Sequence, residues 1–193
     1  NVRGESKDRM QCRDNYKAHL EAAKSGDSSK KIHGKRCQVG ELVRDALKVK
    51  PHSVLQQDII DTINQQWESN KANNKGLEGK SICCVCDVSS SMECDEGLPL
   101  NNAIGLSIRI AELVDEKSGF KNRMLTFESH PTWIQLSDEM TFAQKVHVVK
   151  SASWGGSTDF HLALDKVIEI LVQNEIQPSV VRQLIFAVFS DMQ

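Results

Sequence analysis

The stretch that decides the fold is SICCVCDVSSSM, at residues 81–92. Its first half, Ser81 to Cys86, is a continuous apolar run, which is typical of a central β-strand buried on both faces. Its second half changes to one carboxylate, on Asp87, followed by hydroxyl side chains. Because ligands gather at the carboxyl ends of the strands in an open α/β sheet, this junction predicts a functional site.

The residues after this stretch alternate between strand and helix patterns. Helical spacing of apolar residues marks Asn101 to Glu116 and Phe160 to Gln173, and Gln183 to Ser190 is a second apolar strand. Two short strands, Arg123 to Phe127 and Thr132 to Leu136, lie between the two helices. Strands that alternate with helices indicate βαβ units, so we expect an α/β fold with a doubly wound, mostly parallel sheet, preceded by a helical segment.

The residues before the stretch have a different character. Residues 1–75 are polar and helical, and their clearest apolar stripe is formed by Leu55, Ile59, Ile60, Ile63 and Trp67. A linker rich in Asn, Lys and Gly follows at Asn70 to Lys80. We therefore expect two parts. Residues 1–75 form a helical segment, either a domain of its own or the end of a larger helical domain, and residues 76–193 form the α/β domain.

Composition limits the functions that the chain can have. Its 193 residues are 39% hydrophobic and 26% charged, which excludes a disordered, collagen-like or coiled-coil protein. A formal net charge of −2 gives no general attraction to nucleic acids or anionic membranes, and the apolar runs are too short to span a bilayer. Cys83, Cys84 and Cys86 crowd into one strand and cannot easily pair, so we expect free buried thiols in an intracellular, cytoplasmic protein.

Oxygen-bearing side chains occur at three places where this architecture builds a site. Asp87, Ser89 and Ser91 follow the first strand, Thr158 precedes a long helix, and Asp191 follows the last strand. Carboxylates and hydroxyls are hard donors, which suit Mg²⁺, Mn²⁺ or Ca²⁺ and not zinc or copper. Two carboxylates balance the charge of a divalent ion and leave room for a further anionic oxygen. We therefore predict a Mg²⁺ site at these residues, with Mn²⁺ or Ca²⁺ as alternative ions.

The strings DVSSSM, WGGSTDF and FSDM, in this order, resemble the metal-ion-dependent adhesion site of von Willebrand factor A-type domains, which have a Rossmann-like fold. The intervals between the strings are also similar to those of that family. The resemblance implies that Ser89, Ser91 and Thr158 ligate the ion. It implies that Asp87 and Asp191 act directly or through water.

Two features depart from the pattern of that family. Ser90 stands where the motif usually has glycine, which disfavours a positive backbone φ at this position. The sequence ends at Gln193, soon after Asp191, whereas a complete A-type domain needs at least a further helix and strand. We therefore expect the domain at residues 76–193 to be C-terminally incomplete.

A wider resemblance covers the chain from about Tyr16 onwards. It is similar to a largely uncharacterised family that joins a helical region to an A-type domain. This arrangement is also similar to that of the Ro autoantigen (TROVE) proteins, which bind RNA through helical repeats. In this chain, basic residues of the helical part cluster at Lys30, Lys31, Lys35 and Arg36. A solvated loop is the simpler interpretation of the cluster, and a phosphate-contacting patch is the alternative.

These observations favour a binding protein over an enzyme. Enzymes of the haloacid dehalogenase type need a second carboxylic acid two residues after their nucleophilic Asp, and that position is Ser89 here. We expect a divalent-cation-dependent protein-binding module in which an exposed acidic residue of a protein partner completes the coordination of Mg²⁺. The alternatives are a Ro-like RNA-binding protein that uses the helical region, or a structural subunit of a larger assembly. No membrane partner is expected.

Overall fold

The computed structural model describes residues 6–26, 29–152 and 159–191. The α-helices of these residues are α1 (Lys7–Lys24), α2 (Val39–Leu47), α3 (Gln57–Lys71), α4 (Cys94–Leu113), α5 (Phe142–Lys150), α6 (Phe160–Gln173) and α7 (Pro178–Val181). Their strands are β1 (Ile82–Asp87), β2 (Arg123–Phe127), β3 (Trp133–Gln135) and β4 (Ile185–Phe189). None of the described helices combines the length and the apolar character needed to cross a membrane.

β1 is a central strand, as its apolar run predicted. All of its residues are buried, and it lies between β2 and β4 in the strand order β3-β2-β1-β4. Successive side chains of a strand point to opposite faces of the sheet. Ile82, Cys84 and Cys86 pack into a core with α2, α3, α4 and α5, whereas Cys83 and Val85 pack into a second core with α6.

The sheet corrects the expected fold class. β1 pairs in parallel with β2 and β4, but β2 pairs antiparallel with β3, and the described residues are mainly helical. The prediction of an α/β fold with a doubly wound, mostly parallel sheet is therefore wrong, because the described residues form a small, mixed, four-stranded sheet in a mainly helical chain. The reason is local. Only residues 128–132 connect β2 to β3, and a parallel pair needs a crossover of about a dozen residues or more.

One hydrophobic core joins the early helices to the sheet. Leu42 of α2 and Ile60 of α3 are each only 2% exposed, and they belong to the same cluster as Ile104 of α4. α2 and α4 approach closely at Gly105, where a Cβ atom would lie 2.3 Å from the Cγ1 atom of Val39. The helices that precede the linker therefore share a core with the later part of the chain. The expected boundary between two domains stays a prediction.

A cluster of buried charge holds α3, α4 and α5 together. Trp67 of α3 stacks on Phe142, with 3.9 Å between the ring centroids, and the guanidinium of Arg109 lies 3.5 Å from the centroid of the Trp67 ring. Glu112 accepts hydrogen bonds from the indole N–H of Trp67, at 3.0 Å, and from the Nζ of Lys145, at 2.8 Å. None of these side chains is more than 8% exposed. Burial lowers the pKa of Arg109, and the nearby charge of Glu112 opposes that shift.

The three thiols of β1 are free and buried, as expected. Burial raises the pKa of Cys83 and of Cys86 to about 12, and it raises the pKa of Cys84 as well. Because the thiolate is the reactive form of cysteine, we expect Cys83 and Cys86, which have Cys-x-x-Cys spacing, to be unreactive. Cys12 and Cys94, by contrast, are exposed.

Replacing Glu112 by alanine should destabilise the chain strongly, because Arg109 and Lys145 then stay buried without their counter-ion. Removing one member of a buried ion pair costs about 3–5 kcal/mol of unfolding free energy. The control is Glu116→Ala, which removes the same side chain at an exposed position and should cost about 0.5 kcal/mol or less. Urea-induced unfolding measures both values. Equal losses would show that the cluster does not hold the helices together.

A thiol reagent added to the native protein at about pH 8 should modify Cys12 and Cys94 promptly and leave the cysteines of β1 unmodified, since their thiols stay protonated and inaccessible. Mass spectrometry of the peptides identifies the modified positions. In guanidinium, all six cysteines should react. Native-state modification of Cys83 or Cys86 at the rate of Cys94 would contradict the burial of β1.

Candidate functional site

The candidate site lies where β1 ends. Asp87 is the last residue of β1 and is only 2% exposed. Its Oδ1 atom accepts a hydrogen bond of 2.9 Å from the backbone N–H of Ser89, and its Oδ2 atom accepts a short hydrogen bond from the hydroxyl of Ser190. The carboxylate is therefore held in one orientation between the ends of β1 and β4.

The parallel pairing of β1 with β4 explains the contact with Ser190. Cys86 is the partner of Phe189 in this register, so Asp87 and Ser190, the next residues along the two strands, are neighbours. Asp191 is the residue that the sequence predicts at this strand end, and the role of Ser190 was missed. The only signal for it was the register between two apolar strands that are far apart in the sequence.

The two predicted serine ligands lie close together. The Oγ atoms of Ser89 and Ser91 are 3.0 Å apart, which is within hydrogen-bonding distance. Two adjacent ligands of an octahedral Mg²⁺ ion, each about 2.1 Å from the metal, are also about 3.0 Å apart. The spacing of the two hydroxyls therefore fits a hard cation.

Ser90, which takes the place of the usual glycine, is accommodated by the loop. It begins a short 3-10 turn at Ser90–Glu93, and its φ is not among the positive values of the described residues. The unusual backbone comes later, at Asp95, Glu96 and Gly97, which all have positive φ in the first turn of α4. Serine is therefore compatible with the conformation that this loop adopts.

The other two predicted ligands are Asp191 and Thr158. Asp191 is partly buried at the end of β4, where it lines a cavity of about 210 Å³ together with Met92 and Ser190. It therefore lies at the same end of the sheet as Asp87. Thr158 falls outside the described residues, which resume at residue 159.

Asp87 has no cationic side chain as a partner in the part of the chain that the structure describes. Both of its hydrogen bonds come from neutral donors, the N–H of Ser89 and the hydroxyl of Ser190. The buried carboxylate of Glu112 differs, because Arg109 and Lys145 form ion pairs with it. Burying a carboxylate without a compensating charge is costly. The charge of Asp87 is therefore the feature of this site that favours a bound cation.

The predicted ligand set of this site consists of oxygen atoms. Within residues 6–26, 29–152 and 159–191, no three His, Cys, Asp or Glu side chains come together in a group that could hold a metal ion. The candidate site does not depend on such a group, since two of its predicted ligands are the hydroxyls of Ser89 and Ser91. Its chemistry suits a hard ion such as Mg²⁺.

A family model described as "Domain of unknown function (DUF7788)" matches residues 81–193 of this chain. The match begins immediately before β1. It includes every predicted ligand, from Asp87 to Asp191.

The chain is also similar to a viral protein over nearly its whole length. "Uncharacterized protein L728" of Acanthamoeba polyphaga mimivirus is 28% identical to it over 189 residues, which are 96% of this chain and 30% of the viral protein. The chain thus spans about 30% of the length of that relative. No solved structure matches the chain. The resemblance to A-type domains and TROVE proteins stays a prediction, since neither match names such a domain.

Proposed function

The chain belongs to the family of the domain of unknown function DUF7788, and we propose that it is a divalent-cation-dependent protein-binding module. The observation that carries the proposal is the carboxylate of Asp87, which is 2% exposed and has only neutral hydrogen-bond donors around it in the described residues. A carboxylate buried in this way is stabilised when a positive charge lies beside it.

Mg²⁺ is the proposed ion, with Mn²⁺ or Ca²⁺ as alternatives. Asp87, Ser89, Ser91 and Asp191 offer oxygen atoms only, and Thr158 is a further predicted ligand. This is the ligand set that the resemblance to the metal-ion-dependent adhesion site implies. Mg²⁺ keeps several waters when it binds to proteins, so a site with few protein ligands suits it. When bound, the ion supplies an electrophilic centre for an anionic oxygen from outside the chain.

The proposed partner is a protein with an exposed acidic residue. Asp87 and Asp191 together balance the charge of a divalent ion, and the hydroxyls are neutral, so the site is able to accept one further anionic ligand. An Asp or Glu carboxylate is the hard donor that another protein can offer. The cavity of about 210 Å³ beside Asp191 is also lined by Met92 and Leu106, which give an apolar contact to a residue next to that acid.

A binding role fits this site better than catalysis does. Ser89 occupies the position at which enzymes of the haloacid dehalogenase type place their second carboxylic acid, and a hydroxyl is not a general acid near neutral pH. The proposed location is the cytoplasm, because the free buried thiols of β1 suit a reducing compartment.

Isothermal titration of the native protein with Mg²⁺ should detect binding. The Asp87→Asn variant should bind about 10- to 100-fold more weakly, because the amide keeps the shape of the side chain and removes its charge. Asp165→Asn is the matched control, since it makes the same change at an exposed position of α6, and its affinity should equal that of the native protein. Ser89→Ala removes one hydroxyl and no charge, and it should also weaken binding.

Circular dichroism of each variant shows whether its fold is retained. The proposal fails if the native protein binds neither Mg²⁺ nor Mn²⁺. It also fails if folded Asp87→Asn and Ser89→Ala both bind Mg²⁺ as tightly as the Asp165→Asn control.

Peptides selected from a random library on the immobilised protein should be enriched in Asp or Glu when Mg²⁺ is present, because their carboxylates complete the coordination of the ion. The enrichment should disappear in EDTA and decrease in the Ser89→Ala variant, and it should persist in Asp165→Asn. Sequencing of the selected pools measures it. Equal enrichment with and without Mg²⁺ would contradict a cation-dependent partner even where metal binding itself is observed.

A further inference from the structure

The loop between α1 and α2 borders a cavity that contains none of the proposed metal ligands. The cavity has a volume of about 520 Å³ and is lined by residues 31–33 and 35 of this loop, the end of α1 and one side of α3. Small-molecule ligands occupy cavities of roughly 300–1,000 Å³. The polar residues of the lining are Lys31, His33 and Lys35 of the loop, and Gln65, Glu68 and Ser69 of α3.

Residues 34–37 of the loop are held against α3. Gly34 is buried, and a Cβ atom at this position would lie 1.9 Å from the carbonyl oxygen of Gln66, so the two backbones are in direct contact. The N–H of Gly34 donates a hydrogen bond of 3.0 Å to the Oγ atom of Ser69. The side-chain amide of Asn70, which is 4% exposed, donates to the carbonyl oxygens of Gly34 and Cys37. The cavity wall is therefore formed before any ligand binds, which lowers the cost of binding.

The lining carries an excess of positive charge. Lys31 and Lys35 line the cavity together with one acidic residue, Glu68. Lys30 and Arg36 lie next to them in the sequence, and residues 25–38, which connect α1 to α2, carry these four basic residues and one acidic residue, Asp27. A concave surface with a surplus of ammonium groups attracts anions.

We propose that this cavity binds a phosphate-bearing small molecule of about the size of a nucleotide. Lysine ammonium groups bind phosphate oxygens through charge-assisted hydrogen bonds. Gln65 and His33 offer further donors to the same group, and Ile32, which is partly buried in the lining, offers an apolar contact to the rest of the molecule. The site is independent of the cation-binding proposal, because the two share no residue.

The test is isothermal titration with inorganic pyrophosphate in the presence of EDTA, so that a bound divalent ion contributes nothing. Native protein should bind pyrophosphate. The double variant Lys31→Gln, Lys35→Gln should bind about tenfold more weakly or worse, since it removes two charged donors. The matched control is Lys80→Gln, Lys117→Gln, which removes the same charge from exposed positions outside the cavity and should bind as the native protein does.

Gly34→Ala is a second variant that changes no charge. Its Cβ atom forces the loop away from α3, so folded Gly34→Ala protein should also bind pyrophosphate more weakly. Titration with an octamer of single-stranded RNA distinguishes a cavity for small ligands from a surface that binds a nucleic-acid strand. The proposal is overturned if native protein does not bind pyrophosphate, if both double variants bind it equally, or if the RNA binds and an excess of pyrophosphate does not compete with it.

Discussion

The parallel pairing of β1 with β4 is the constraint on which the candidate site depends. The pairing of Cys86 with Phe189 brings Asp87 next to the hydroxyl of Ser190 and places Asp191 at the same end of the sheet. A slip of one residue would turn every side chain of β4 to the opposite face. Such a slip would take Phe189 out of the core that it shares with α4. The free-energy cost of losing that packing opposes the slip and keeps the register in place.

α3 contacts both the core beneath this sheet and the loop between α1 and α2. One part of the helix is locked by Trp67, whose ring contacts Phe142 and Arg109 and whose indole N–H donates to Glu112. Another part of the helix holds the loop between α1 and α2, through Asn70 and the close approach at Gly34. Because a single rigid element serves both contacts, the cavity of the loop is formed by the same packing that covers β1. Helices α2 and α3 thus share a hydrophobic core with the sheet.

Local sequence patterns predicted the helices and strands better than they predicted the contacts between them. The apolar run at residues 82–86 is short and ends in polar residues that break a helix pattern, which favours a buried strand, so β1 was predictable. The fold class was wrong because alternating strands and helices do not reveal that residues 128–132 turn β2 directly into β3. For the site, Asp87, Ser89 and Ser91 are close in sequence and their approach follows from one turn. Ser190 needed the register between distant strands, which no periodicity encodes.

The two proposed sites both attract anions, but they do so by different physics. Lysine ammonium groups in an open cavity act through long-range Coulomb attraction, which is screened over about 8–10 Å at physiological salt. A carboxylate that completes the coordination of Mg²⁺ makes a short-range bond with strict geometry, and its affinity disappears with the metal. Salt and chelator therefore separate the two sites. Because Asp87 is 2% exposed, salt reaches its charge poorly, so a binding activity that survives salt and is lost in EDTA belongs at the end of β1.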